Sequence, residues 1–232
     1  MRDIIKIKGE NAMNAEQKAL FIRYCPHIYM DKADPFPFRY IGCTAFTQPR
    51  RSDSFPKWWV DPRSEGAAMI LEYAIYFDYD IQHLYDLEHI WVALDEQGKP
   101  MDCWCSFHGM RLRAAGVSCF KMEGEHPVLY SQPGKHAMLP DPELFRLHPD
   151  FYRACGEAAG GGVLVPGFLS GRVESDPETD EMVSRYIRDK FAFVPTLEFI
   201  TEPIGEDRLL SWPALLDKIP DLIRCQLAKM GG

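Results

Sequence analysis

The stretch His83-Leu84-Tyr85-Asp86-Leu87-Glu88-His89 concentrates metal-binding side chains, and it follows an aromatic run, 73–80, that ends in Asp80. If 90–94 is a strand, period-two alternation puts Asp86 and Glu88 on one face at its start and turns His89 away. Asp80 lies beside the turn that carries His83. Three carboxylates and an imidazole at one strand connection repel one another strongly unless a cation or protons offset the charge. A bound Mg²⁺, Ca²⁺ or Mn²⁺ is the simplest remedy, and the oxygen-rich set favours these ions over Zn²⁺. The competing reading is a solvated acidic turn, with His83 on the surface and Glu88 paired to an arginine. A helical face formed by His83, Asp86 and His89 is disfavoured by the β-branched and aromatic residues after Glu88.

Two further histidines stand at positions of interest. His108 follows Cys103-Trp104-Cys105-Ser106-Phe107 and precedes Gly109, so it sits at a strand end facing a loop-lined cleft. His136 lies in Gly134-Lys135-His136-Ala137, just beyond another strand, whereas His27, His126 and His148 are ordinary by comparison. Cys103 and Cys105 read as alternating strand residues packed like small hydrophobes. A zinc knuckle spaces its cysteines by two residues, and no second pair exists. No serine sits in a nucleophile elbow, and Walker-type and dinucleotide motifs are absent. Gly160-Gly161-Gly162 reads as a tight turn rather than a phosphate cradle.

The elements that must position these residues follow from breakers and periodicity. Residues 16–23 form a weak helix that leads into a short strand at 25–30. Asp34-Pro35-Phe36-Pro37-Phe38 can continue neither. Strands are expected at 68–79, 88–94, 103–107 and 127–131, successive and antiparallel, with a turn at Asp95-Glu96-Gln97-Gly98. Beyond Pro140, 144–159 holds a short helix and 163–167 a covering strand or loop. Asp176 caps a helix with Pro177 in its first turn, and Met182, Val183, Tyr186, Ile187 and Phe191 recur at helical spacing. A last helix spans 212–229, kinked or restarted at Pro220. The expected fold is mainly β: an antiparallel β-sandwich with peripheral α-helices. Residues 1–232 form one domain, with a sandwich core over about 20–170 and a helical C-terminal portion over about 176–230 packed on it.

Of the 232 residues, 46% are hydrophobic and 26% charged, enough to bury a substantial core. A net charge of −8 without any basic stripe excludes a nucleic-acid footprint. Residues 1–8 carry charge where a signal peptide needs an apolar run, and no stretch approaches the roughly 20 apolar residues of a membrane span. Seven scattered cysteines, an odd number, fit reduced thiols, so the expected location is the cytoplasm.

Residues 73–80 followed by His83-x-x-Asp86-x-Glu88 resemble the strand and heptapeptide of the necrosis- and ethylene-inducing-like proteins and of their vacuolar protein sorting-associated relatives. Ser106-Phe107-His108-Gly109 is similar to the family's histidine-glycine strand end. His126-Pro127-Val128-Leu129-Tyr130, leading to Gly134-Lys135-His136-Ala137, is similar to its next strand and histidine. Cys25-Pro26-His27-Ile28-Tyr29-Met30 with Pro37 resembles the start of the vacuolar-sorting type. The resemblance implies a β-sandwich with surrounding helices and a divalent-metal site at its edge. It assigns Asp80, His83, Asp86 and Glu88 to the metal, and His108 and His136 to the same cavity. Tyr85 and Leu87 stand where the family has histidine and tryptophan, and the loop between Asp80 and His83 is short. The family's toxins are secreted, so their lysis of plant membranes does not carry over.

Three functions fit these residues. In the first, the metal and its cavity bind a small polar, glycan-like or headgroup-like ligand, with Trp58, Trp59 and the tyrosines as stacking surfaces. In the second, the metal activates water for hydrolysis, with Glu88 or His108 as general base and His136 or Lys135 stabilising negative charge. In the third, the cation only ties the acidic connection together and the protein acts through a surface partner. The first is the expected function, with hydrolysis as its alternative.

Overall fold

The computed structural model describes residues 12–148 and 150–231, so the charged opening read at 1–8 lies outside the described residues. In chain order the elements are α1 (Ala15–Arg23), β1 (His27–Asp31), β2 (Phe38–Phe46), β3 (Arg50–Arg51), β4 (Trp59–Val60), β5 (Met69–Tyr79), β6 (Leu84–Leu94), β7 (Pro100–Phe107) and β8 (Met110–Arg113). Then follow β9 (Lys121–Glu123), β10 (His126–Ser131), β11 (Met138–Leu139), α2 (Phe151–Cys155), α3 (Pro177–Phe191), β12 (Phe199–Thr201), β13 (Leu209–Ser211) and α4 (Trp212–Met230). The fold is mainly β, as expected, with two mixed sheets and a few helices.

One sheet has the order β13-β2-β5-β6-β7-β8 and the other β11-β10-β1-β12, with β9 also on β10. The meander β5-β6-β7 is antiparallel as read, and Gly98 N donates to Asp95 O at 3.1 Å in the expected turn. Two expectations need correction. The strand read at 127–131 does not continue the meander: β10 crosses to the second sheet and runs parallel to β1, with Tyr29 opposite Tyr130. The excursion over 114–125 carries it there, and Val128 and Leu129 bury in the opposite layer. The C-terminal portion, read as helical, also supplies β12 to one sheet and β13 to the other, where each pairs with a strand from the first fifty residues.

Between the layers pack Ile28, Ile41, Tyr73, Ile75, Ile90, Val92 and Leu129, with Cys103 and Cys105 among them as small apolar residues. Each fully buried aliphatic side chain here stabilises the fold by roughly 1.5–3 kcal/mol. The outer face of the larger sheet is covered as well. At one end α3 and α4 lay Val183, Ile187, Trp212, Leu215 and Ile219 on Ala74 and Tyr76. At the other, the β3–β4 hairpin closes over Trp58, Trp91 and Trp104. Asp176 caps α3 through Thr179 N, with Pro177 in the first turn, and α4 runs in one piece with Pro220 inside it. Among the described residues no helix is long and apolar enough to cross a membrane.

Candidate metal centre

The connection 80–83 between β5 and β6 is shaped by its first residue. Asp80 Oδ1 accepts the amides of Gln82 at 2.5 Å and His83 at 2.7 Å, and Asp80 N donates to His83 O at 2.9 Å. Backbone hydrogen bonds then fix this loop from two sides. Ile81 N donates to Gly134 O at 2.7 Å, Gly160 N to Ile81 O at 2.9 Å and Leu84 N to Gly162 O at 2.9 Å. Gly160 has φ +87, and a Cβ there would stand 2.3 Å from Ser184 O. The triple glycine is therefore the seat on which α3 meets the loop.

Asp80, His83 and Asp86 each bring one ligand atom within 4.8 Å of the others, a group that could hold a metal ion. His83 is oriented by Tyr85, whose carbonyl oxygen lies 2.7 Å from Nδ1. A carbonyl only accepts, so Nδ1 carries the hydrogen. The opposite nitrogen, Nε2, faces Asp80 Oδ2 at 3.3 Å. Tyr85, His136 and His108 have φ of 52°, 57° and 48°, and they are three of the four non-glycine residues with positive φ among the described residues. Such backbone costs about 1–3 kcal/mol per residue and gathers at functional sites. At His108 the cause is local: His108-Gly109 is a two-residue turn between paired Phe107 and Met110, which requires positive φ at both positions.

Burial excludes the solvated acidic turn: Asp80 is 1% exposed, Asp86 8% and Glu88 7%. Among the described residues no arginine pairs with Glu88; its Oε2 accepts a hydrogen bond from the Ser106 hydroxyl. Burial and the charge of Asp86 push the Glu88 carboxyl well above its usual range, so it resists ionisation. For Asp86 burial alone would do the same, but the hydrogen bond and charge of His136, with His83 and Lys135, reverse the direction and lower it. His136 Nδ1 lies 3.3 Å from Asp86 Oδ2 and its Nε2 3.8 Å from Asp34 Oδ1. Burial opposes protonation of that ring, yet the two carboxylates outweigh it and push it up to about 10. Lys135 Nζ donates to Asp80 Oδ2 and to Gln82 Oε1, both at 2.8 Å. The protein's own cations therefore offset part of the expected repulsion.

A cleft of about 280 Å³ opens on this group and is lined by Asp80, His83, Asp86, Glu88, Ser106, His108 and Lys135, with Phe55, Leu87 and Leu164 as its apolar wall. Glu88, expected among the ligands, lines the cleft but stands outside the three-residue group. His136, expected to line the cavity, is wholly buried behind Asp86 and stacks on Phe77 at 3.8 Å between ring centroids. Its place in a turn set by Gln132 turns the ring inward, and His136 N donates to Gln132 O at 2.8 Å. His108 does face the cleft, with Nε2 on Gln132 Oε1 at 2.8 Å. His89 turns away as read, against Trp91 and Phe55, and burial pulls its imidazole down to about 3. The sequence marks Asp34 only by the proline run after it and Ser106 only as the start of Ser106-Phe107-His108-Gly109, without a role at the site for either, and it does not mark Gln132.

No protein-family model matches the chain, and no curated protein matches it. Among solved structures, it is similar to necrosis and ethylene inducing protein 2 from the causal agent of cocoa's witches' broom disease, at 18% identity over 59% of this chain and 72% of that one, with a TM-score of 0.35. It is also similar to NLPPya in complex with mannosamine, at 13% identity over 57% and 69% with a TM-score of 0.36. NLPPya in complex with glucosamine gives 14% over 59% and 73% with a TM-score of 0.35. These neighbours are of the type that the motifs resemble, and no vacuolar-sorting protein is among them. At such identities and TM-scores, function has to be read from the chain's own geometry.

Proposed function

We propose that the protein binds a divalent cation through Asp80, His83 and Asp86, Mg²⁺, Ca²⁺ or Mn²⁺ ahead of Zn²⁺, and presents it in a cleft for a small polar ligand. The observation that carries this is the orientation of His83. With Nδ1–H held by Tyr85 O, Nε2 is turned to Asp80 Oδ2 at 3.3 Å beside Asp86, so a ring nitrogen and two carboxylates converge where a divalent ion would bind. A ring whose other nitrogen donates to a backbone carbonyl is oriented as metal-binding histidines usually are. Two carboxylates beside it suit a hard ion. A dication would also favour ionised Glu88, the fourth expected ligand. When bound, it would supply electrostatic attraction for hydroxyl or anionic oxygens of a ligand.

The cleft lining suits a small polar guest, since it combines Ser106, His108 and Lys135 with Phe55, Leu87 and Leu164. Glucosamine and mannosamine, present in the neighbouring structures, are convenient probes. Residues 1–232 act as one domain in this account, which is supported by strands near residues 30, 130 and 200 sharing a sheet. A cytoplasmic location is supported by seven cysteines that remain thiols, five of them buried.

Thermal melts test the cation site. Each ion is added to wild type and to Asp86→Ala, with an upward shift expected for the first and none for the second. Absence of any shift in the wild type would sink the site. Hydrolysis is the second reading, favoured by one observation: burial lowers the His108 imidazole, so a neutral base stands at the cleft wall. Phosphoester, ester and glycoside substrates, assayed with each metal on wild type, His108→Ala and Glu88→Gln, test it. Equal background rates in all three leave binding alone.

A further inference from the structure

Lys135 already occupies the one Asp80 oxygen that a cation would use. Asp80 Oδ1 is engaged by the amides of Gln82 and His83, whereas Oδ2 points to His83 Nε2 and receives the Lys135 ammonium at 2.8 Å. The lysine side chain is 12% exposed and the aspartate side chain 2%, so water screens this pair poorly. An ion bonded to Oδ2 at the roughly 2.0–2.6 Å of Mg²⁺ or Ca²⁺ ligation would lie no more than about 5.4 Å from Nζ. A single and a double positive charge at that separation repel strongly in a cleft shielded from water.

The backbone under Lys135 has nowhere to go. Lys135 N donates to Gln132 O at 3.1 Å and Gly134 N to Asp34 Oδ2 at 2.7 Å, and a Cβ on Gly134 would meet Ile81 at 3.0 Å. Relief has to come from the flexible side chain, which lines the cleft and can swing toward its mouth.

We infer that Lys135 is a tethered competitor of the divalent cation: its ammonium holds Asp80 until an ion displaces it, and so sets how tightly the site binds. The inference rests on the cation site proposed above. It has a consequence for the ligand, because the arriving ion turns the lysine from a structural partner of Asp80 into a donor facing the cleft.

Calorimetric titration of MnCl₂ and CaCl₂ into wild type, Lys135→Met and Lys135→Gln tests it, with circular dichroism confirming the fold of each. Both neutral variants should bind the ion about ten-fold or more tightly than wild type. If one variant fails to fold, the other decides. Equal or weaker binding in the folded variants would overturn the competitor and leave the cation site standing. No binding by any of the three proteins would remove both. In wild type, Ca²⁺ should also speed acylation of Lys135 by acetic anhydride, read by peptide mass spectrometry; an unchanged rate with bound Ca²⁺ would count against displacement.

Discussion

Gly161 lies so close to Gln82 that a Cβ built on it would stand 2.8 Å from the Gln82 carbonyl oxygen. The contact seats the triple glycine on the loop that carries Asp80 and His83. Gly161→Ala should cost roughly 1–3 kcal/mol in urea denaturation and reduce the melting shift produced by MnCl₂. Gly167→Ala, where nothing lies within 4 Å of the new methyl, should change stability by no more than about 0.5 kcal/mol. Equal behaviour of the two variants would show that the seat does not position the loop.

His136 gives a pH dependence whose sign follows from its two carboxylates. Its folded-state value is raised from 6.5 to about 10, so its contribution is complete below pH 6.5 and is lost as pH rises toward 10. Between pH 6.5 and 8.5 wild-type stability should fall by up to about 1.4 kcal/mol per unit. Asp34→Asn, which removes one carboxylate, should flatten that slope. Ring NMR should find imidazolium at pH 8, and a neutral ring there would refute the assignment.

His89 works in the opposite direction. Among the described residues neither ring nitrogen makes a hydrogen bond of good geometry, and burial outweighs the nearby Asp86 charge and Ser54 backbone to lower the group from 6.5 to about 3. Its neutral form is held in the fold, so stability is present above pH 6.5 and drains away as pH falls toward 3. His89→Leu should be neutral or stabilising by about 1 kcal/mol at pH 7. Its advantage should widen by up to about 1.4 kcal/mol per unit in acid. Loss of stability at pH 5 relative to wild type would contradict this.

Glu72 is buried beneath the β3–β4 hairpin, where its carboxylate accepts from Ser52 Oγ at 2.6 Å, Ser54 Oγ at 2.7 Å and Trp91 Nε1 at 2.7 Å. Burial raises its carboxyl against these three donors. Glu72→Ala strands all three and should cost about 3 kcal/mol or more, with a red shift of tryptophan emission as the hairpin loosens. Glu72→Gln, which keeps an acceptor, should cost clearly less. Similar losses in both would point to charge rather than hydrogen bonding.

Alternation made β5, β6 and β7 legible, together with the turn at Asp95. The pattern starts β6 at residue 88 although the strand begins at Leu84, because Asp86 and Glu88 occupy buried positions where alternation expects apolar residues. β2 went unread: it follows two prolines, and burial on both faces in the middle of the sheet removes alternation. β12 and β13, at three residues each, are too short to show a period. Asp80, His83, Asp86 and Glu88 share one short segment, so their clustering could be read directly. The grip of Lys135 on Asp80 and of Asp34 on His136 could not, since these pairs meet only through the docking of distant loops.

The pairing of β1 with both β10 and β12 joins three distant parts of the chain in one sheet. The β5–β6 hairpin pairs residues close in sequence, whereas the second sheet has to bring Tyr29 to Tyr130 and Thr201, contacts that cost more loop-closure entropy. The acids of that hairpin are covered by Lys135 and His136, which come from a loop far along the chain. Burying these acids therefore couples charge to the docking of distant loops, and the folding rate should respond to ionic strength and to divalent ions.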